Sequence, residues 1–285
     1  MNEAIMAMIR RTDPKTLGDH DRVLREIMQQ ICLLGLWRAR FFEHAAFYGG
    51  TALRLLYGLD RFSEDLDFSL LNPDPEFTLE PYFDFIRREL NAFDFETEIE
   101  TKNSSAIESA FIRADTKIHV IKIGAGSSIS DSIPHGQTMK VKFEVDTDPP
   151  PSFETESKFI LEPVPFGVRA YTPGDLFAGK MHAILFRSWK NRVKGRDWYD
   201  LVFFVRNRTP LHLEHLAARM RQTGHLLPNE NLTAGTFASL LNEKIDSIDF
   251  TKAREDAAPF IKDPSALEIW SRDFFREMAR RIPLA

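Results

Sequence analysis

Asp65, Leu66 and Asp67 set two carboxylates two positions apart in a segment with the composition of a β-strand. In an extended chain such residues share one face, so both carboxylates aim at one spot. Paired hard oxygen donors suit a divalent cation, above all Mg²⁺, which takes one or two carboxylates and fills its shell with substrate phosphates. Upstream, the apolar run through Phe47 and Tyr48 ends in Gly49-Gly50, and Thr51 opens a helix-like segment. Glycines let the backbone come close to a phosphate, and the free amides at a helix start favour an anion. A glycine pair alone is a turn, and an isolated D-x-D is usually a solvated strand end. Their order, with a helical pattern between them, gives the combination its specificity. It describes a nucleoside triphosphate held between a glycine turn and a metal.

Other charged groups stand in unusual places. Lys180 lies four residues after Leu176 and four before Ile184, within the apolar face of a helical run from Leu176 to Phe186. A lysine there either snorkels or meets an anion. Asp197 and Asp200, three apart beside Arg196, share one face of the next helix, although a helix N-terminus alone accounts for one acid. Between these helices runs Arg187-Ser188-Trp189-Lys190-Asn191-Arg192-Val193-Lys194-Gly195-Arg196, with five cations, one aromatic and no acid. Such a run is either a solvated loop or a contact for nucleic acid.

The stretch from Tyr48 to Phe68, YGGTALRLLYGLDRFSEDLDF, resembles the first motif of the polymerase-beta-like nucleotidyltransferases, and within them the AbiEii/AbiGii toxin family, which includes the MenT toxins. Thr51 stands where serine is commoner and keeps the hydroxyl. The runs DLFAGKMHAIL and KGRDWYDL are similar to a second block of that family. The resemblance implies an α+β fold: a mixed sheet with flanking helices, followed by a helical C-terminal region that completes the active site. It implies Asp65 and Asp67 as metal ligands, Gly49, Gly50 and Thr51 around the phosphates, and Lys180 and Asp197 in the catalytic set. It further implies a third carboxylate that completes the metal site, on a strand in an apolar-acid-apolar setting. Glu144, between Phe143 and Val145, fits that setting best, with Asp146 on the same face as the alternative.

The elements that must position these groups follow from periodicity. Asp21 to about Ala45 and Leu79 to Phe93 repeat apolar residues every three or four positions and predict helices. Gly35 weakens the first of these patterns. Phe95–Thr101, Ala110–Ile123 and Met139–Asp146 alternate and predict strands, with one more extended segment from Phe159 to Val168. Thr172-Pro173-Gly174-Asp175 is a helix start. The expected organisation is an arm over residues 1–20, a nucleotidyltransferase domain over 21–168 and a helical domain over 169–285. Leu240, Leu241, Ile245 and Ile248, with Ile269, Trp270, Phe274, Phe275 and Met278, are expected to complete a helical bundle.

Composition sets broad bounds. The chain has 285 residues, 24 of them Phe, which points to an aromatic core. A single cysteine, Cys32, leaves no internal disulfide and fits a cytoplasmic protein. No run is long enough to span a membrane. The net charge of −5 gives no global attraction to nucleic acid, so RNA binding requires a local basic surface. The expected activity is Mg²⁺-dependent transfer of a nucleoside monophosphate from a triphosphate to an acceptor hydroxyl. The expected acceptor is RNA, at a tRNA 3′ end, and the resemblance adds a toxin role with a cognate antitoxin. The alternatives are a non-catalytic nucleotide- or partner-binding module and an enzyme that modifies protein. For Lys180 the catalytic expectation is that Lys180→Met severely slows transfer and leaves the protein at least as stable.

Overall fold

Apolar alternation builds one sheet. The structure is a computed structural model that describes residues 3–95, 97–104, 107–114, 139–187 and 193–285. Its strands are β1 (Ala45–Tyr48), β2 (Asp65–Leu70), β3 (Thr97–Ser104), β4 (Ile107–Ala114), β5 (Met139–Asp146), β6 (Thr155–Ile160) and β7 (Phe166–Tyr171). They lie in the order β3-β4-β5-β2-β1-β7-β6. The pairing is mixed: β1 runs antiparallel to β2 and parallel to β7, and β2 runs parallel to β5. In β5, Met139, Val141, Phe143 and Val145 are buried, as their alternation predicts. The predicted second strand starts earlier, at Ile107, and its Ile118–Ile123 portion lies outside the described residues. The extended segment from Phe159 divides into β6 and β7, because Pro163 and Pro165 have no N–H for a ladder.

Two compact units make up the chain. The first comprises Met1–Leu56, Glu64–Pro149 and Ser157–Ala170; the second comprises Tyr57–Ser63, Pro150–Glu156 and Tyr171–Ala285. In the first, helix α1 (Glu3–Thr12) replaces the expected arm. Ile5, Met8 and Ile9 form a helical stripe and are buried, with α1 packed on α2 (Leu17–Arg38). Thr16 and Asp19 close a capping box at the start of α2, four residues before its predicted beginning. That helix stops at Arg38, and Arg40 turns the chain in a left-handed conformation into β1. Helix α3 (Gly49–Tyr57) joins β1 to β2, and α4 (Glu80–Ala92) packs on α2. Phe68 is an aromatic centre of this core, with ring centroids 5.0 Å from Phe41, 5.3 Å from Phe47 and 6.2 Å from Phe143.

The second unit is helical: α5 (Pro173–Phe186), α6 (Gly195–Arg206), α7 (Leu213–Gln222), α8 (Ala234–Ser247), α9 (Phe250–Ala257) and α10 (Arg272–Arg280). Helix α5 packs against α6 and α7, α6 against α9, and α8 against α10. Phe177 of α5 stacks on Phe204 of α6 at 4.4 Å. Leu241, Ile245, Trp270 and Phe275 are buried as expected, whereas Ile269 is 62% exposed and takes no part in the core. The α+β class, with a mixed sheet, flanking helices and a helical C-terminal region, is therefore the one the motif resemblance implies. Among the described residues no helix is long and apolar enough to cross a membrane.

Gly35 supplies the fold's clearest test. A Cβ there would lie 2.7 Å from Ile86 Cα and 3.0 Å from Ile86 N, both backbone atoms of α4. Helix propensity alone would make Gly35→Ala stabilising by up to about 1 kcal/mol. The contact with α4 reverses that sign, since overpacking a tight core costs about 1–3 kcal/mol. Urea unfolding should show a lower midpoint for Gly35→Ala at unchanged slope.

Candidate active site

In the first unit the signature stretch closes on itself. Asp67 pairs in register with Tyr48, so its carboxylate stands where β1 ends and α3 begins. Gly49 has φ +81°, and a Cβ there would lie 2.1 Å from Asp67 Oδ2. Both the backbone conformation and the carboxylate therefore demand glycine. The first amides of α3 lack intrahelical acceptors, which makes this end of the helix a place for an anion. Leu66 and Phe68 point into the core with no exposure, leaving Asp65 and Asp67 half-buried on the opposite face of β2.

Thr51 also ties the motif together. It is fully buried, and its hydroxyl donates a short hydrogen bond to the Asp65 backbone carbonyl. That bond fixes α3 to the start of β2. Gly49 and Gly50 keep their backbone role.

Register separates the two candidates for the third carboxylate. On β5, Glu144 lies level with Asp67, while Asp146 lies level with Ser69. Adjacent strands are about 4.8 Å apart, so Glu144 neighbours the D-x-D pair. Lys142, level with Asp65, is ion-paired with Glu144. Asp65, Asp67 and Glu144 thus share this face with Lys142. Among the described residues no three His, Cys, Asp or Glu side chains are grouped as a complete metal cage. The donor set fits Mg²⁺ bound through two carboxylates and substrate oxygens.

The second unit holds the other expected residues in a buried charge network. Lys180 Nζ donates to Asp197 Oδ1 at 2.8 Å and lies 2.8 Å from Asp200 Oδ2. Arg61 donates to both Asp200 oxygens at 2.6 Å and to the Phe62 carbonyl at 2.9 Å. Both Arg61 and Asp200 are inaccessible, at 3% and 0% side-chain exposure. Burial pushes the Lys180 and Arg61 pKa values down, but the carboxylates outweigh it and hold both above their ordinary values. Burial likewise pushes Asp197 up, and Lys180 and Lys194 more than reverse this, bringing it to about 2. Arg61 was absent from the expected set, although it sits inside the signature, four residues before Asp65. Asp200 was noticed only for its spacing.

The basic run resolves into different roles. Arg187 lies 3.9 Å from Asp197, and the Arg196 guanidinium stacks over Phe260 at 4.0 Å. Trp189, Lys190 and Arg192 lie outside the described residues.

These contacts change the expectation for Lys180→Met. Losing the ammonium leaves Asp197 and Asp200 with less compensation, and breaking a buried ion pair costs about 3–5 kcal/mol. The variant should therefore unfold at lower denaturant as well as lose any activity. Arg61→Met and Asp200→Asn should each cost a similar amount, and a double-mutant cycle should show strong coupling. Asp197 adds a pH signature. Its depressed pKa contributes stability that is present above its ordinary value of 3.8 and is lost as pH falls toward about 2. In Asp197→Asn, the slope of unfolding free energy against pH in that window should flatten.

Residues 31–280 match the family described as nucleotidyl transferase AbiEii toxin, type IV toxin–antitoxin system. Two solved structures from Helicobacter pylori share the fold. One, described as a candidate nucleotidyltransferase, has a TM-score of 0.50 at 19% identity, over 91% of this chain and 90% of that one. The other, JHP933, has a TM-score of 0.52 at 19% identity with the same coverage. No curated protein matches the sequence. With the match extending from α2 to α10, this chain belongs to the AbiEii nucleotidyltransferase toxin family.

Proposed function

We propose that the protein transfers a nucleoside monophosphate from a triphosphate to the 3′ end of an RNA, tRNA first among candidates. In this reading it is the toxin of a toxin–antitoxin pair and depends on Mg²⁺. The observation that carries the reading is the juxtaposition in the first unit: Asp67 against Gly49, Asp65 beside it on the same face, and Glu144 level across the sheet. Asp65 and Asp67 would hold the metal, which supplies charge neutralisation on phosphoryl oxygens. The Gly49 and Gly50 amides orient the phosphates, and Glu144 accepts the proton of the attacking hydroxyl. The acceptor oxygen bonds to the α-phosphorus as the bond to the pyrophosphate breaks. Such catalysis is largely positioning and electrostatics. Lys180 and Asp197 complete the proposed catalytic set, with Lys180 countering phosphate charge: its ammonium has three protons, and its side chain keeps 16% exposure beside two carboxylates.

The test is incubation with total RNA, and separately with protein, using each labelled triphosphate with and without Mg²⁺. Label should appear on RNA only with Mg²⁺, and Asp65→Ala and Asp67→Ala should each reduce it by at least about a hundredfold. Both variants should fold, since each relieves like-charge repulsion. Label on protein alone would point to the protein-modifying alternative. Triphosphate binding with no turnover would point to the binding module.

A further inference from the structure

The second unit contains a small cavity that borders the proposed catalytic residue Asp197 but whose three cations have no part in the proposed reaction. It measures about 240 Å³ and is lined by the last turn of α5, the first turn of α6 and the end of α8. Its charged residues are Arg187, Lys194, Lys244 and Asp197, set among Ile184, Val193, Trp198 and Ile248.

Charge bookkeeping singles this cavity out. Arg61 and Lys180 are balanced by Asp197 and Asp200, so that quartet is neutral by itself. Arg187, Lys194 and Lys244 are then three positive charges around one cavity, in a chain whose net charge is −5. The one acid in the wall, Asp197, already accepts from Lys180. Among the described residues, the side-chain ammonium groups of Lys194 and Lys244 have no hydrogen-bonded or ion-paired partner, and both residues are half-buried. Burying a cation without a partner is costly. Burial lowers the pKa of Lys194 to about 8; Asp197 opposes this, and Arg187, Lys180 and Arg196 reinforce it. Burial lowers Lys244 as well.

We infer that this cavity is an oxyanion site that takes a phosphate or pyrophosphate group, held by Arg187, Lys194 and Lys244. An anion there would relieve the repulsion among the three cations. In this half-buried setting the attraction is screened less than it would be in open water. The cavity is smaller than the roughly 300–1,000 Å³ of sites that hold whole ligands, so it takes the anionic group alone. The group could belong to a nucleotide, to a nucleic-acid end or to free pyrophosphate. The site rests on the cavity and its charge, and it holds whether or not the chain transfers nucleotides.

The experiment is calorimetric titration of the full chain with pyrophosphate in EDTA, so that no metal-dependent binding at Asp65 and Asp67 contributes. Wild-type protein and Asp65→Ala/Asp67→Ala should bind alike. Lys194→Met/Lys244→Met should bind at least about tenfold more weakly, and Lys194→Arg/Lys244→Arg should restore binding. Lys244→Met alone serves if the double variant does not fold. On the wild type, sulfate binding at pH 8 in two buffers of different ionisation enthalpy should reveal proton uptake. Competition by a triphosphate, or by a 5′-phosphorylated but not an unphosphorylated oligoribonucleotide, identifies the source; competition by neither leaves free pyrophosphate. Absence of pyrophosphate binding by the wild type, or undiminished binding by the methionine variants, would overturn the site.

Discussion

The bidentate pair between Arg61 and Asp200 is the constraint on which the second unit depends. Both groups are removed from water, so each is tolerable only with the other in place. Asp200 in turn shares Lys180 with Asp197, and the four charges cancel in a space that admits almost no solvent. Replacing such a network by apolar residues of similar volume is often neutral or stabilising, so a buried network is weak grounds for stability. What it does impose is geometry: Lys180 has two fixed carboxylates, and the start of α6 is tied to the segment from Tyr57 to Ser63.

The two units treat charge in opposite ways. On the sheet face of the first, Asp65, Asp67 and Glu144 gather carboxylates, with Lys142 ion-paired to Glu144. In the second, a neutral quartet borders three surplus cations.

Much of this was legible in the sequence where one local rule governed the outcome. The D-x-D alternation put Asp65 and Asp67 on one face, and the apolar-acid-apolar setting of Glu144 placed it on β5 beside them. Thr172 and Pro173 marked the start of α5 correctly. Other features depended on partners far along the chain. No local pattern marks Arg61 as buried, because an arginine in a loop between helix and strand is ordinarily solvated. The bond from the Thr51 hydroxyl could not be foreseen because its acceptor is a backbone carbonyl 14 residues away. Gly35 read as a weakness in α2 because the helix that requires it, α4, begins 45 residues later. The Met-rich start read as an arm although Ile5, Met8 and Ile9 already had helical spacing.

The discontinuity of the units bears on how the chain is made. Arg61 and its partner Asp200 are 139 residues apart in sequence. At about 5–20 residues per second, Asp200 is synthesised roughly 7–28 s after Arg61. During that interval the loop carrying Arg61 lacks the bidentate pair with Asp200, while α3 before it and β2 after it are already available for the first unit. The chain passes between the units five times before Tyr171, so neither unit can be released by a single cut. A ribosome that stops before α6 leaves the signature stretch complete in sequence but without the counter-charge that fixes its loop. Assembly of that loop is therefore a late event in synthesis, and a nascent chain shorter than 200 residues lacks it.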